Sequence, residues 1–285
     1  MPTSTSRAVP FLFVVLWSTG FIGARLGLPH IEPLAFLTIR YVLVLALMVV
    51  ISLVARAPWP ATTGAWGHIG VAGLLVHGVY LGGVFIAIGH GLPAGVASLV
   101  VGVQPLLTAV GAGWLLGARV SPRQWLGLVL GFVGVTLVVL GKLGSEFSAW
   151  ALVPAIVALL GITAGTLYQK RYCPAFDWRT GAVAQFLPTA LVTGLAAAGL
   201  ESGRIDWTGE LVFALGWLVL VLSVGAVSLL NWLIRHSNAV NVASLFYLVP
   251  PCTALLAWLL FGSSFSGVAL IGLGLAVWGV YLARQ

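Results

Sequence analysis

The chain is poor in charge. Only 7% of its 285 residues are Asp, Glu, Lys or Arg, whereas soluble domains carry about a quarter. With 60% hydrophobic residues and a mean hydropathy of +1.11, an ordinary soluble domain is excluded. The polar–apolar alternation of a membrane β-barrel is missing too, since stretches such as 126–140 and 211–222 are apolar on every side. Carboxylates number six, and none lies centrally in a hydrophobic run. That removes carboxylate-pair acid–base chemistry, and also the buried acid on which proton- or sodium-coupled carriers often rely. There is no His-Glu-x-x-His pair, no Gly-x-Ser-x-Gly elbow and no P-loop, so neither an enzyme nor a cofactor or metal is expected. Ser264, in the polar segment 262–267, has no partnered histidine and reads as part of a turn. The two cysteines, Cys173 in a loop and Cys252 in an apolar run, cannot form a disulfide framework.

What is present is periodic. Charges gather every 20 to 30 residues, about the length needed to cross hydrocarbon as helix. Ten spans are expected, at 8–26, 34–55, 66–89, 93–116, 122–141, 149–169, 180–199, 211–234, 239–261 and 266–283. The fold class is therefore an all-α membrane protein of ten transmembrane helices. Taking the N-terminus as inside, Arg7, Arg56, Arg119, Arg123, Lys170, Arg171, Arg179, Arg235 and Arg284 flank the cytoplasmic ends. Arg25, Lys142 and Arg204 flank the other ends, and Arg40 lies within span two. Five acids (Glu32, Glu146, Glu201, Asp206, Glu210) lie outside, and Asp177 inside. This asymmetry implies both termini in the cytoplasm of a bacterial inner membrane. The net charge of +7 is thus a product of topology. With no compact basic patch, nucleic acid is not an expected partner, whereas the lipid bilayer is. A signal-peptide reading of the first span would leave span six without its repeat partner.

The sequence is written twice. Gly95-Val96-Ala97-Ser98-Leu99, followed by Pro105, returns 146 residues later as Asn241-Val242-Ala243-Ser244-Leu245, followed by Pro251, and His90 falls on His236. At an offset of 145, Gly127-Leu128 falls on Gly272-Leu273 and Gly134-Val135 on Gly279-Val280. Two units follow, 1–145 and 146–285, each of five spans. An odd number inverts the second copy, so these are two inverted-topology five-helix repeats, and a substrate site is expected between them near the midplane.

His77, Tyr80, Leu81 and Val84 share one expected face of span three. His77 is either a neutral histidine bonded to a neighbouring helix or part of a cavity. The 146 offset places Ser223 at the His77 position and Asn231 at the Phe85 position. Pro105 in span four, and Pro250 and Pro251 in span nine, would free carbonyls inside helices. They are hinge candidates, serving either an ammonium group or only the bend. Ser98, Gln104, Ser244 and Tyr247 would supply polar contacts beside them. Trp17 is too deep in span one for an interfacial ring, and its equivalent in span six is Thr163. Trp59, Trp66, Trp125, Trp150, Trp178 and Trp207 flank span ends and read as interfacial. Tyr168 and Lys170 read as anchors, and Arg40 either snorkels outward or touches substrate. Gly127, Gly131, Gly134, Gly272, Gly274 and Gly279 permit close helix contact, within one subunit or across a dimer; a monomer is the expected state.

Ten spans in two inverted halves, the Trp17-Ser-Thr-Gly-Phe21 end of span one and the Ala-Ser-Leu…Pro element of spans four and nine resemble the drug/metabolite transporter superfamily. Within it the chain is similar to the EamA-type bacterial members, among them exporters of aromatic amino acids. The resemblance implies a basket-like bundle with spans five and ten stacked to the side. It also implies a cavity built by spans one, three, four, six, eight and nine, the spans that carry Trp17, His77, Tyr80, Ser98, Gln104, Thr163, Asn231, Ser244 and Tyr247. The superfamily's nucleotide-sugar branch would need a buried Lys/Arg cluster, which the sequence lacks. The expected function is export or facilitation of neutral amino acids, aromatic or large and apolar, by alternating access. Alternatives are a carrier of another small metabolite or drug, such as a purine or a cation, and a non-transporting scaffold.

Overall fold

A computed structural model describes residues 4–92, 94–140, 148–173, 175–261 and 267–284. Lys142, Glu146, Ser264 and the turn around it lie outside the described residues. The described chain is helical, with one isolated bridge between Ile31 and Ile205. Ten helical rods follow in order. They are α1 (Ser4–Gly27), α2 (Pro33–Val54), α3 (Thr63–Gly89), α4 (Ala94–Val101 with Gln104–Leu116), α5 (Pro122–Leu140), α6 (Ala149–Tyr172), α7 (Trp178–Leu200), α8 (Gly209–His236), α9 (Ala239–Ser244, Leu245–Leu248 and Val249–Phe261) and α10 (Gly267–Ala283). The first eight are long and apolar enough to cross a membrane, and the last two contain shorter apolar helices, Ala239–Thr253 and Gly267–Ala283. The protein is an all-α membrane protein.

Helices α5 and α10, of equal rank in the two halves, run antiparallel, as an odd-span duplication requires. In α5 and α10 the small residues decide the approach. A Cβ on Gly127 would lie 2.6 Å from the Gly279 carbonyl, and one on Gly134 would lie 2.6 Å from that of Gly272. Backbones meet there because no side chain intervenes, so these glycines serve contact within one subunit. Gly274, expected to join them, would meet nothing within 4 Å. Helices α2 and α7 are antiparallel as well. Glu201, just after α7, accepts from the Leu34 and Ala35 amides at 2.6 and 2.7 Å; at the other end Thr180 donates to the Pro58 carbonyl at 2.7 Å. First helices are exchanged between halves: α1 packs on α8 and α9, α6 on α3 and α4.

Two local features depart from the expected uniform helices. Within α3 the segment Leu74–Leu81 is π-helical, and within α8 so is Leu218–Ala226, at nearly the equivalent place. A wider turn resets the face on which later residues emerge. His77 and Tyr80 therefore do not share a stripe. The second departure concerns the prolines. Helix α4 breaks at Gly102 and Val103, whose amides bond Ser98 and Val100 carbonyls at 2.8 and 3.2 Å. Pro105 then sits in the first turn of Gln104–Leu116. In α9 the 3-10 segment Leu245–Leu248 comes first, and Pro250 and Pro251 open Val249–Phe261. Each proline starts a new helical segment, where its missing N–H forfeits little, rather than interrupting a continuous one.

Candidate functional site

The bundle has two ends of different chemistry. At one end lie Arg119, Lys170, Arg171 and Arg235; at the other the loop before α2 meets the loop after α7. At this second end Glu32 accepts from the Ser202 hydroxyl (2.8 Å) and the Gly203 amide (3.0 Å). The Ile31–Ile205 bridge and the Asp206 amide on the His30 carbonyl (2.8 Å) complete a clasp between the halves. The Ser202 hydroxyl, with backbone amides beside it, holds the Glu32 carboxyl below the usual carboxylate range. At the basic end Arg179 does the same for Asp177, 2.8 Å away. Burial pushes the Cys173 thiol up to about 11, which leaves it un-ionised and unreactive near neutral pH.

Beneath the acidic clasp, between α1, α2, α3 and α8, lies an internal cavity. Trp17, Gly20, Arg40, Tyr80, Phe85 and Leu222 are among the residues that line it. The free space is about 30 Å³, enough for roughly two water molecules. Glycine shapes the wall, because a Cβ on Gly20 would lie 2.5 Å from Leu222. Trp17 is held from behind by Phe13 (ring centroids 5.2 Å apart) and Phe246 (5.5 Å, edge-on).

Of the two readings left open for Arg40, the structure removes snorkelling. Lying two turns inside α2, it does not snorkel: it is 1% exposed and borders the cavity. Its Nε donates to Ser223 Oγ on α8 at 3.0 Å. Placing an arginine in the middle of a membrane helix costs at least about 2.5–3.5 kcal/mol. The signal for it was already in the sequence, since Arg40 is the one basic residue outside every flank.

His77 lies one helix face away. Its ring stacks on Phe186 of α7 (4.5 Å, 18°), and the Tyr41 hydroxyl donates to its carbonyl at 2.8 Å. Gln185 of α7 is near enough to interact with the ring, although neither ring nitrogen meets strict hydrogen-bond geometry among the described residues; the ring does not line the central cavity. The 146-residue offset relates these two contacts. Arg40 corresponds to Phe186 and Ser223 to His77, so one crossing of the fold is polar in one half and aromatic in the other.

The same offset carries part of the cavity's lining onto a second, polar pocket: Ala24 maps on Lys170, Phe85 on Asn231 and Ile88 on Ile234, whereas Thr163 and Ala226, the equivalents of Trp17 and Tyr80, lie outside it. Asn231, Gln169 and Gln185 form a buried amide cluster: Gln169 Nε2 donates to Asn231 Oδ1 (2.9 Å), and Asn231 Nδ2 donates to Gln185 Oε1 (3.2 Å). The cluster floors a pocket of about 170 Å³ at the basic end, lined also by Lys170, Phe176 and Arg235. Beside it a larger vestibule of about 380 Å³ is lined by Arg119, Gln124, Lys170, Arg171 and Asn238. Lys170 is more than an anchor, because its Nζ donates to the Ile234, Arg235 and Ser237 carbonyls and closes the C-terminus of α8.

Of the nine candidate binding residues, only Trp17 and Tyr80 meet in the central cavity, while Asn231 lines the opposite pocket. Thr163 and Ser244 spend their hydroxyls on the Leu159 and Asn241 carbonyls. Gln104 is buried beside Thr108 (3.3 Å), with its amide oxygen unpartnered among the described residues. Ser98 is half-buried on α4, away from the lining. Tyr247 packs against α5, where its ring occupies the space a side chain on Gly131 would need.

A helical membrane bundle of two antiparallel-related halves, with an internal cavity between them, defines a membrane transporter. The chain belongs to the EamA-like transporter family, which it matches over residues 8–140 and again over 145–285. It is 27% identical over 259 residues to the uncharacterised transporter YvbV of Bacillus subtilis, covering 87% of this chain and 81% of that one. It is 26% identical to a probable amino-acid metabolite efflux pump of Salmonella typhimurium, covering 95% and 92%. It is 24% identical to the uncharacterised inner membrane transporter YedA of Escherichia coli, covering 95% and 88%. A solved crystal structure shares the fold with a TM-score of 0.78 at 23% identity, covering 98% of this chain and 96% of that one.

Proposed function

We propose that this transporter exports or facilitates neutral amino acids with aromatic or large apolar side chains, working by alternating access. The observation that carries the reading is the cavity lined by Trp17, Tyr80 and Phe85 between α1, α3 and α8. Such ring faces accept a flat apolar body. The polar pocket floored by Asn231, which stands at the position of Phe85 at the 146-residue offset, serves as the opening toward the basic end. The halves 1–145 and 146–285 act as the moving units, and access passes from one pocket to the other as they rock. The basic end is cytoplasmic, the membrane is the bacterial inner membrane, and the monomer is the working unit. The similarity to a probable amino-acid metabolite efflux pump agrees with this substrate class.

The test is counterflow in liposomes holding the purified protein, with labelled phenylalanine and threonine against unlabelled amino acids, purines and cationic drugs. Saturable exchange blocked by amino acids is expected, and Trp17→Ala should slow it at least about tenfold while the protein still inserts. Exchange carried by purines or cationic drugs alone would replace the substrate assignment and keep the transporter. Absence of all exchange would favour a scaffold.

A further inference from the structure

We propose that Arg40 binds a carboxylate of the transported molecule, so that a carboxylate is a required part of the substrate. The inference deepens the amino-acid reading above and rests on the same cavity. Among the described residues Arg40 is the one charged side chain that is buried, and it has no ion pair there. The described carboxylates (Glu32, Asp177, Glu201, Asp206 and Glu210) all lie at helix ends or in loops. A guanidinium stays protonated inside proteins, so a full positive charge borders a narrow, mostly apolar cavity. Its Nε is engaged by Ser223, which fixes the plane of the fork and leaves the two terminal NH2 groups for a bidentate acceptor.

The fold itself does not require a cation at this crossing. The equivalent position in the other half is Phe186, stacked on His77, and it completes the same α2–α8 type of contact without charge. A residue that the scaffold can replace by an aromatic, yet keeps buried and unpaired by any acid, is held for something that arrives from outside. Trp17, Tyr80 and Phe85 border the same space, so a carboxylate on Arg40 would place an attached aromatic or aliphatic body among the rings.

The experiment compares three molecules of one shape in counterflow: phenylalanine, phenylpropionate without the amine, and phenylethylamine without the carboxylate. Labelled phenylalanine and labelled phenylpropionate are each used as driver. In the wild-type protein phenylpropionate should compete, and phenylethylamine should fail even at a hundredfold excess. Arg40→Gln should raise the half-saturating concentration of the carboxylates at least tenfold, with Arg40→Lys between the two. Ser223→Ala, which loosens only the orientation of the fork, should raise it less. Competition by phenylethylamine equal to that of phenylpropionate would overturn the inference, and that comparison needs no variant to fold. So would an Arg40→Gln protein with half-saturation within twofold of wild type. Exchange of phenylpropionate but of no amino acid would sink the amino-acid reading and leave Arg40 in its role. Amino-acid exchange untouched by Arg40→Gln would do the reverse. Exchange of neither carboxylate by the wild type would remove both.

Discussion

Adding one methyl group at two glycines should move stability in opposite directions. A Cβ on Gly134 would stand 2.4 Å from the Ala276 amide nitrogen and 2.6 Å from the Gly272 carbonyl oxygen. Ordinary contacts need about 3.4 Å or more, and both opposing atoms are backbone, so neither can rotate away. Gly134→Ala must therefore push α5 and α10 apart by close to 1 Å along their tightest stretch. Overpacking of that kind costs about 1–3 kcal/mol. Gly274, on the same helix α10, faces open space with nothing within 4 Å. Gly274→Ala loses no contact and restricts the unfolded chain, a gain of about 0.4–1 kcal/mol. At about 2–4 °C per kcal/mol for a chain of this size, thermal unfolding in detergent should fall by several degrees for the first variant and rise by one to a few for the second. Tryptophan fluorescence, read with size-exclusion profiles, measures both. Shifts of the same sign in both variants would refute the packing argument. A Gly134→Ala protein that keeps its melting temperature but changes oligomeric size would move these glycines to a subunit interface.

The acidic clasp should respond to pH. The Glu32 carboxyl is held below its usual range in the folded protein, chiefly by the Ser202 hydroxyl, so its contribution is complete above the ordinary glutamate value of about 4.3. It is lost as pH falls through the lower folded-state value. The melting-temperature difference between wild type and Glu32→Gln should be present at pH 7 and should vanish on strong acidification; a difference constant with pH would count against the clasp. Lys170→Met removes the donor from three carbonyls at the end of α8, a loss of about 0.3–1 kcal/mol. Faster hydrogen exchange confined to the last turn of α8 checks it, and unchanged exchange there would refute the cap.

The polytopic helical class, the duplication and the glycine seam were all legible in the sequence, because each is a property of spacing. Hydrophobic length sets a span, an odd span count sets inversion, and Gly127 and Gly134 at a fixed offset from Gly272 and Gly279 mark where two backbones meet. The site was legible only in part. Trp17 stood out as a ring too deep for the interface and Tyr80 by its expected face on span three, and both line the cavity. His77 was grouped with Tyr80 on the assumption of 3.6 residues per turn, which the π-helical segment Leu74–Leu81 breaks. Tyr247 and Ser244 were grouped with Pro251 because they share a helix, although the 3-10 stretch before it turns the tyrosine toward α5.

Arg40 shows the limit most plainly. From the sequence by itself comes its place inside span two, near one end of it. Whether such an arginine reaches the headgroups or faces inward depends on what the neighbouring helices offer, and here α8 offers Ser223 while α1 and α3 leave a space. The sequence determined which segments enter the membrane and that they do so twice in opposite senses, since hydrophobicity and period act along one chain. Only the tertiary structure decided which faces meet across the two halves, because that depends on local helix geometry and on contacts between residues far apart in the chain, such as Gly131 with Tyr247 and Arg40 with Ser223.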